Sequence, residues 1–435
     1  MIRFSSNTLF EQGVLNLQRG QADVFRTQDQ IATGRRVRTP ADDPVLAARA
    51  LDVEQSQAIN EQYIRNGDSA QSALGLEENA LTEVTRVLQD ARVLAVNAGD
   101  AVLSDRELDS IGNELRSLYQ ELLGLSNSTD GNGLHLFSGF RGNLQPFAET
   151  APGSVQYQGD QGQRLIQISA SRQVPVSDAG SDIFQLIRNG NGSFVTGAAS
   201  ANAGTGVIGP GGVTDVAAWN AAGNPRDFTI LFHVDSSVLP PVTTYDIVDN
   251  ASALSLTTGA APGAGPYLRT YTDGASIPLA TQAPPDTNPT PFDWGAQIPI
   301  SGQPASGDSF TVQASTNQDV FETLHQLILA VENAQRTPSG NARLANDLNL
   351  ALSNLDNGLD NVLRVRAAVG SRLNEVDAAQ ASQSDLVGQY QDTLSQLRDL
   401  DYNKAISDLT RQQLTYEAAQ KSFVRVQGLS LFNFL

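Results

Sequence analysis

From Ser6 to Ala32 the apolar positions Phe10, Leu17, Val24 and Ile31 recur every seven residues, and Val14 joins them with Gln21 and Gln28 in the same register. This spacing of alternating fours and threes predicts an amphipathic helix whose seam carries polar interruptions. Gly34 and the Arg35–Arg36 pair mark its end. Thr39 to Pro44 reads as a turn. Asp43 before Pro44 reads as a helix start, since proline at the first helical position lacks an N–H that would have no partner there anyway. The next helix is expected from about Val45 to Ala98, with Leu74, Leu81, Val84, Leu88, Ala91, Ala95 and Ala98 on one stripe. Ser104 and Glu107 have the spacing of a capping box, and the helix they open carries Leu108, Ile111, Leu115, Leu118, Leu122 and Leu125. Ser126 to Gly133 ends it in turn-forming residues.

The pattern then changes. From about Leu134 to Ala314 glycine, proline, threonine and serine dominate, and runs such as Arg164–Ser169 and Asp227–Phe232 alternate as strands do. Thr257 to Pro304 is the segment richest in turn residues. Helix returns near Asp319, with Phe321, Leu324, Ile328 and Val331 on one face. Past Pro338 a long seam follows through Leu348, Leu352, Leu355, Leu359, Val362, Val369, Leu373 and Val376, with Arg366 as its odd member. The last helix repeats Tyr402, Leu409, Tyr416 and Phe423 at sevens, alternating with Ala405, Gln412, Ala419 and Val426. After Gly428 comes an apolar tail of Leu429, Leu431, Phe432, Phe434 and Leu435. The expected fold is therefore α+β: an elongated helical bundle with paired N- and C-terminal coiled-coil helices and a mostly β inserted lobe. Three parts are expected: residues 1–40 with 398–435, residues 41–185 with 315–397, and residues 186–314.

Composition narrows the function. Of 435 residues 40% are hydrophobic, enough for a core, and the net charge of −19 disfavours nucleic acid and anionic membranes as partners. Without cysteine there can be no disulfide and no thiolate chemistry. Met1 to Gln12 lacks the apolar stretch of a secretory leader, and no apolar run reaches the ~18 residues a membrane span needs. Export, if any, is expected by another route. His135, His233 and His325 are scattered over different elements, and no His-Glu-x-x-His or phosphate-binding loop occurs. Asp130 to Asn132 has the start of a calcium loop without its remaining ligands, and reads as a helix-ending turn. Adjacent Asp42 and Asp43 read as caps rather than an acid–base pair. No cofactor, no metal and no enzymatic activity are expected.

Heptads alone are more often a single-chain core than an assembly surface, and for the inner helices that is the expected reading. What distinguishes the termini is a resemblance. The segment Gln30-Ile-Ala-Thr-Gly-Arg-Arg-Val-Arg-Thr-Pro-Ala-Asp-Asp-Pro44 resembles a signature of the flagellin superfamily, and Pro44, where filament flagellins usually carry alanine, tips the likeness toward the FlgL family of hook-associated proteins. Leu134–Arg141 is similar to a strand that follows that family's second core helix, Tyr157–Asp160 with Gln163–Ile168 to its next hairpin, and Val369–Val376 to a turn in its returning helix. Gly307–Phe310 is a smaller match, and Asp401–Leu435 resembles the family's ending.

The resemblance implies a structural adaptor at the hook–filament junction of an extracellular flagellum. Implied partners are the other junction protein, flagellin, further copies of itself, an export chaperone and the type III apparatus. It implies an assembly interface on the terminal helices: Phe10, Val14, Leu17, Val24, Ile31, Tyr402, Leu409, Tyr416, Phe423, Val426, Leu429, Leu431, Phe434 and Leu435. A filament flagellin, or a secreted adhesin with the lobe on a helical stalk, stand as alternatives. Residues 190–300 match no familiar pattern.

Overall fold

A computed structural model describes residues 6–100 and 102–432. Eight helices occur among them: α1 (Ser6–Thr33), α2 (Pro44–Ala98), α3 (Asp105–Ser126), α4 (Gly180–Phe184), α5 (Val216–Trp219), α6 (Val320–Glu332), α7 (Pro338–Arg398) and α8 (Tyr402–Phe432). Their starts follow from local chemistry. The Asp43 carboxylate accepts the N–H groups of Val45 and Leu46 at 3.0 Å each, with Pro44 as the first helical residue of α2. Glu107 accepts both the Ser104 N–H and its hydroxyl at the head of α3. Asp319, Thr337 and Asp401 accept the N–H of Glu322, Gly340 and Lys404 at the heads of α6, α7 and α8. At Asp130 the carboxylate takes the N–H groups of Asn132 and Leu134, so this segment is a turn.

The chain forms two compact units. One holds the residues up to Asp68, Gln167–Arg172 and those from Asp377 onward; the other holds Ser69–Ile166 and Gln173–Val376. In the second unit the predicted stripes meet. Leu74, Leu81 and Leu88 of α2, Leu115 and Leu122 of α3, Leu324 and Val331 of α6, and Leu355, Val362 and Val369 of α7 are all buried. Arg366, the misfit of the α7 seam, bridges to the Glu78 carboxylate at 2.7 Å.

Two readings of local structure are corrected here. Val369–Val376 contains no turn: α7 runs through it unbroken, and Arg372 donates to both Asp178 carboxylate oxygens at 2.8 and 3.0 Å. The segment is a clamp on the loop before α4. Leu134–Arg141 is a set of turns rather than a strand. Asp160 accepts the N–H groups of Phe140 and Gly162, and Gly139 takes a φ of +69° where any Cβ would strike Asp160. This folding buries Phe137 edge-on against Phe184, and Phe184 in turn meets Phe147 and Phe321. The hairpins are Phe147–Ala151 with Ser154–Tyr157, and Leu165–Ser169 with Arg172–Pro175. Tyr157 thus closes the first hairpin, while the second starts beyond it.

Beside that clamp, Glu77 of α2 is buried and accepts the Asp178 N–H at 3.1 Å. Burial, with the nearby Asp178 charge adding to it and Arg372 opposing, pushes its carboxyl up to about 8. The folded chain therefore holds a proton that the unfolded chain releases near 4.5. Its stabilisation is complete below that value, declines as pH rises and is lost above about 8. Thermal melts at pH 6 and pH 9 should differ by on the order of 2–4 kcal/mol. Glu77→Gln should remove most of that difference, and a variant as pH-sensitive as the parent would refute the assignment.

The inserted lobe is an antiparallel β structure. One sheet orders the strands Leu254–Ser255, Val242–Asp249, Asp227–Asp235, Ser309–Ala314 and Phe194–Ala198, with Arg269–Thr270 also paired to Val242–Asp249. A second joins Ser276–Ala280, Asp293–Ser301, Val207–Ile208 and Gly212–Val213. Alternate residues of both, including Phe228, Ile230, Phe232, Ile298 and Ile300, enter one core with Trp219 of α5. Asparagines along α7 secure the backbone at the lobe's base. Asn346 accepts the Ile208 N–H at 2.7 Å and donates to the Gly206 carbonyl. Asn354 accepts the Gly190 N–H, and Asn357 donates to the carbonyls of Arg188 and Gly190. Farther along, Asn361 donates to those of Asp182 and Ile183.

Candidate assembly interface

The first unit is organised by two facing corners. Helix α1 ends at Thr33, and Gly34 follows at φ +69°, a left-handed turn that glycine adopts without strain. Its carbonyl accepts the Leu400 N–H at 2.9 Å, and the Arg36 N–H donates to the Arg398 carbonyl at 2.7 Å. The Arg36 guanidinium donates to the carbonyls of Gln396 and Leu397, at the end of α7, where a cation also complements the helix dipole. Asp42 accepts the Thr39 N–H and hydroxyl, bonds that hold its carboxyl below the ordinary range. The residue types of the Gly34–Pro44 signature thus answer local needs. Gly34 turns the chain, Arg36 ties it to the α7–α8 corner, Asp42 closes the bend and Asp43 starts α2.

From this corner α1 and α8 run antiparallel. Phe10 meets the Phe423 ring at a centroid distance of 5.5 Å. Leu17, Val24, Ile31, Leu409, Tyr416 and Phe423 are half-buried between the helices, and Ala405 is buried. Phe10 and Tyr402 remain largely exposed. The second row of the α1 seam, however, differs from the one expected. Gln21 and Gln28 are exposed, whereas Gly13 and Gly20 are half-buried and Thr27 is buried. Val14, the head of the expected row, is half-buried. Side chains at Val426, Leu429 and Leu431 lie outside those the structure describes, and Phe434 and Leu435 lie outside the described residues.

Sequence reasoning missed the apolar residues that face away from this seam. Phe25 is 59% exposed, Leu414 70% and Val424 68%, with Leu15 and Ile406 at similar values. Single exposed apolar residues are ordinary, but here two paired helices carry five such side chains that nothing among the described residues covers. A heptad search discards these positions because they fall off its stripe; a count of large apolar residues left over after the seam is assigned would have found them. The histidines lie apart. His135 sits 2.8 Å from the Asn127 carbonyl, His233 beside Tyr267 and His325 beneath Gly153. Among the described residues no group of three or more His, Asp or Glu side chains is arranged to hold a metal ion.

Residues 4–141 match the family model for the bacterial flagellin N-terminal helical region. Flagellar hook-associated protein 3 of Escherichia coli K12 is 26% identical over 432 residues, which span 99% of each chain. Among solved structures, FlgL of Xanthomonas campestris is 30% identical, with 74% of this chain and 93% of that chain covered and a TM-score of 0.59. Hook-associated protein 3 of Legionella pneumophila is 27% identical, with 79% and 98% covered and a TM-score of 0.68. By contrast, a flagellin of Escherichia coli O127:H6 matches over only 138 residues, 32% of this chain and 25% of the flagellin.

Proposed function

This chain belongs to the family of flagellar hook-associated protein 3, or FlgL, and from that membership we infer that it is the structural subunit joining the hook to the flagellin filament. A filament flagellin is the weaker reading, since the match to the flagellin of Escherichia coli O127:H6 spans 32% of this chain against 99% for hook-associated protein 3 of Escherichia coli K12. The work is mechanical: copies must stack between two unlike neighbours, the hook-side junction protein and flagellin. In this reading residues 1–40 with 398–435 form the terminal domain, 41–185 with 315–397 the bundle and 186–314 the outward lobe. The chain leaves the cell through the type III apparatus with the help of an export chaperone and acts outside it.

The observation that supports an interface on the terminal helices is their incomplete cover. The seam is half closed by α1 and α8 alone, and Phe25, Leu414 and Val424 stand in solvent. A neighbouring copy that covers them removes apolar area from water, at roughly 25 cal/mol per Å². The seam residues from Phe10 to Ile31 and from Tyr402 to Phe423, with the tail Val426, Leu429, Leu431, Phe434 and Leu435, belong to the same surface. The direct test is a strain lacking the gene. It should carry intact hooks without filaments and shed unpolymerised flagellin into the medium, and the wild-type gene should restore filaments. Normal filaments in the deletion strain would overturn the junction role.

A further inference from the structure

Heptads by themselves leave the register of two helices undecided, because a slip of seven residues realigns every stripe. At the corner the Gly34 and Arg36 bonds oppose such a slip, and along the helices size opposes it as well. A Cβ built on Gly13 would lie 2.6 Å from the Phe423 ring, one on Gly20 3.2 Å from the Tyr416 ring, and one on Gly34 2.9 Å from the Tyr402 hydroxyl oxygen. Each step of seven along α1 is thus matched by a step of seven back along α8. The same stepping sets Leu409, the one aliphatic member of its row, opposite Thr27, the one member of the glycine row with a side chain. Thr27 is buried, and its hydroxyl lies 2.8 Å from Gln412 Oε1.

We propose that the glycine–aromatic pairs together with Thr27 are the specificity determinants of the terminal helix pair, selecting one antiparallel register between this chain's own ends. Two rings rest on Gly13 and Gly20, the Tyr402 hydroxyl closes on Gly34 in the turn after α1, and the remaining position carries threonine against leucine. Sliding α8 by seven residues in one direction brings Tyr416 onto Thr27; sliding it in the other brings Tyr402 there. Either slip drives a ring into a side chain and separates Thr27 from Gln412. A slip moves the helices by ~10 Å at 1.5 Å per residue, enough to displace Leu414 and Val424 by two turns relative to Phe25. The determinant therefore also sets which apolar side chains stand side by side on the outer surface. It rests on the geometry of one chain and would survive if the subunit interface lay elsewhere.

The absence of cysteine makes the register directly measurable in the full-length monomer. Leu17→Cys is combined with Ala419→Cys to report the observed register and with Val426→Cys to report one slip, and Val24→Cys with Ala405→Cys reports the other. Intrachain disulfide yield is read under mild oxidation at low protein concentration. The Ala419→Cys reporter should exceed both slip reporters by about tenfold or more, the scale that overpacking a ring imposes. Thr27→Gly removes the obstruction while the Gly34–Leu400 and Arg36–Arg398 bonds of the corner persist, and should raise both slip reporters by about threefold over the parent. Gly20→Leu should depress the Ala419→Cys reporter by about tenfold, and Tyr416→Ala added to it should restore the yield, which a merely unfolded variant would not allow. Equal yields from all three reporters, slip reporters that do not rise in Thr27→Gly, or a Gly20→Leu effect that is absent or not rescued would each overturn the proposal.

Discussion

Replacing Phe25 and Leu414 together with glutamate should leave the isolated chain folded and yet stop filament growth. Both side chains are mostly in water, so the substitutions remove little packing, and glutamate has a helix propensity at least as good as phenylalanine. Surface changes of this kind usually stay within about 0.5 kcal/mol of the parent. In an assembled layer the same positions would be covered by a neighbour, and an unpaired carboxylate buried there costs several kcal/mol. That cost recurs at every copy, so the loss should be close to complete. The check is a thermal melt of the purified monomer beside electron microscopy of a gene-deletion strain expressing the variant. Ordinary filaments with an intact monomer would place the interface somewhere other than these helix faces.

Within the lobe, Asp286→Ala should cost about 3–5 kcal/mol and unfold the lobe while the bundle helices persist. The Arg269 and Asp286 side chains are 1% and 0% exposed. Two guanidinium nitrogens of Arg269 donate to the two Asp286 oxygens at 2.9 and 2.5 Å, and one donates to the Ala280 carbonyl as well. The guanidinium also lies about 6 Å from the ring centres of Tyr245 and Phe292. Asp286 takes the Gln282 N–H too, so one carboxylate both neutralises the cation and shapes the loop between two strands. Removing it leaves a charged guanidinium buried without a counterion. Replacing both partners, as Arg269→Met with Asp286→Leu, should recover much of the loss because no charge then remains buried. Both tryptophans, Trp219 and Trp294, belong to the lobe, so their fluorescence reports on it separately from the helical circular dichroism. Unchanged tryptophan emission and melting in Asp286→Ala would contradict this account.

The helices were legible in the sequence because their determinants are local. Asp43 with Pro44, Ser104 with Glu107, and Asp319 before its apolar face act within one turn, and a stripe repeated over many turns is hard to mistake. The identity of the family was legible for a related reason: in the Gly34–Pro44 corner Gly34, Arg36, Asp42, Asp43 and Pro44 each answer a backbone requirement, so the string itself carries part of the geometry. Elsewhere a local pattern points the wrong way. Leu134–Arg141 resembles a strand of that family, but the turns around Asp160 and Gly139 bend it into the core. At Val369–Val376 the resemblance implies a turn, although α7 passes through without interruption.

By itself, then, the sequence determined an α+β chain with helical ends, a β insertion, the helix limits and the pairing of its termini, because caps and periodic burial need only neighbouring residues. Only the tertiary structure decided which second row faces the seam, since a step of three or four from Phe10 fits a heptad equally and glycine carries no hydrophobic signal. It alone placed Arg372 on Asp178, Arg269 on Asp286 and the α7 asparagines on the lobe's backbone, and left Phe25 and Leu414 uncovered. These are matters of which distant groups arrive at the same point in space. That is set by the packing of the whole chain and not by any window of its residues.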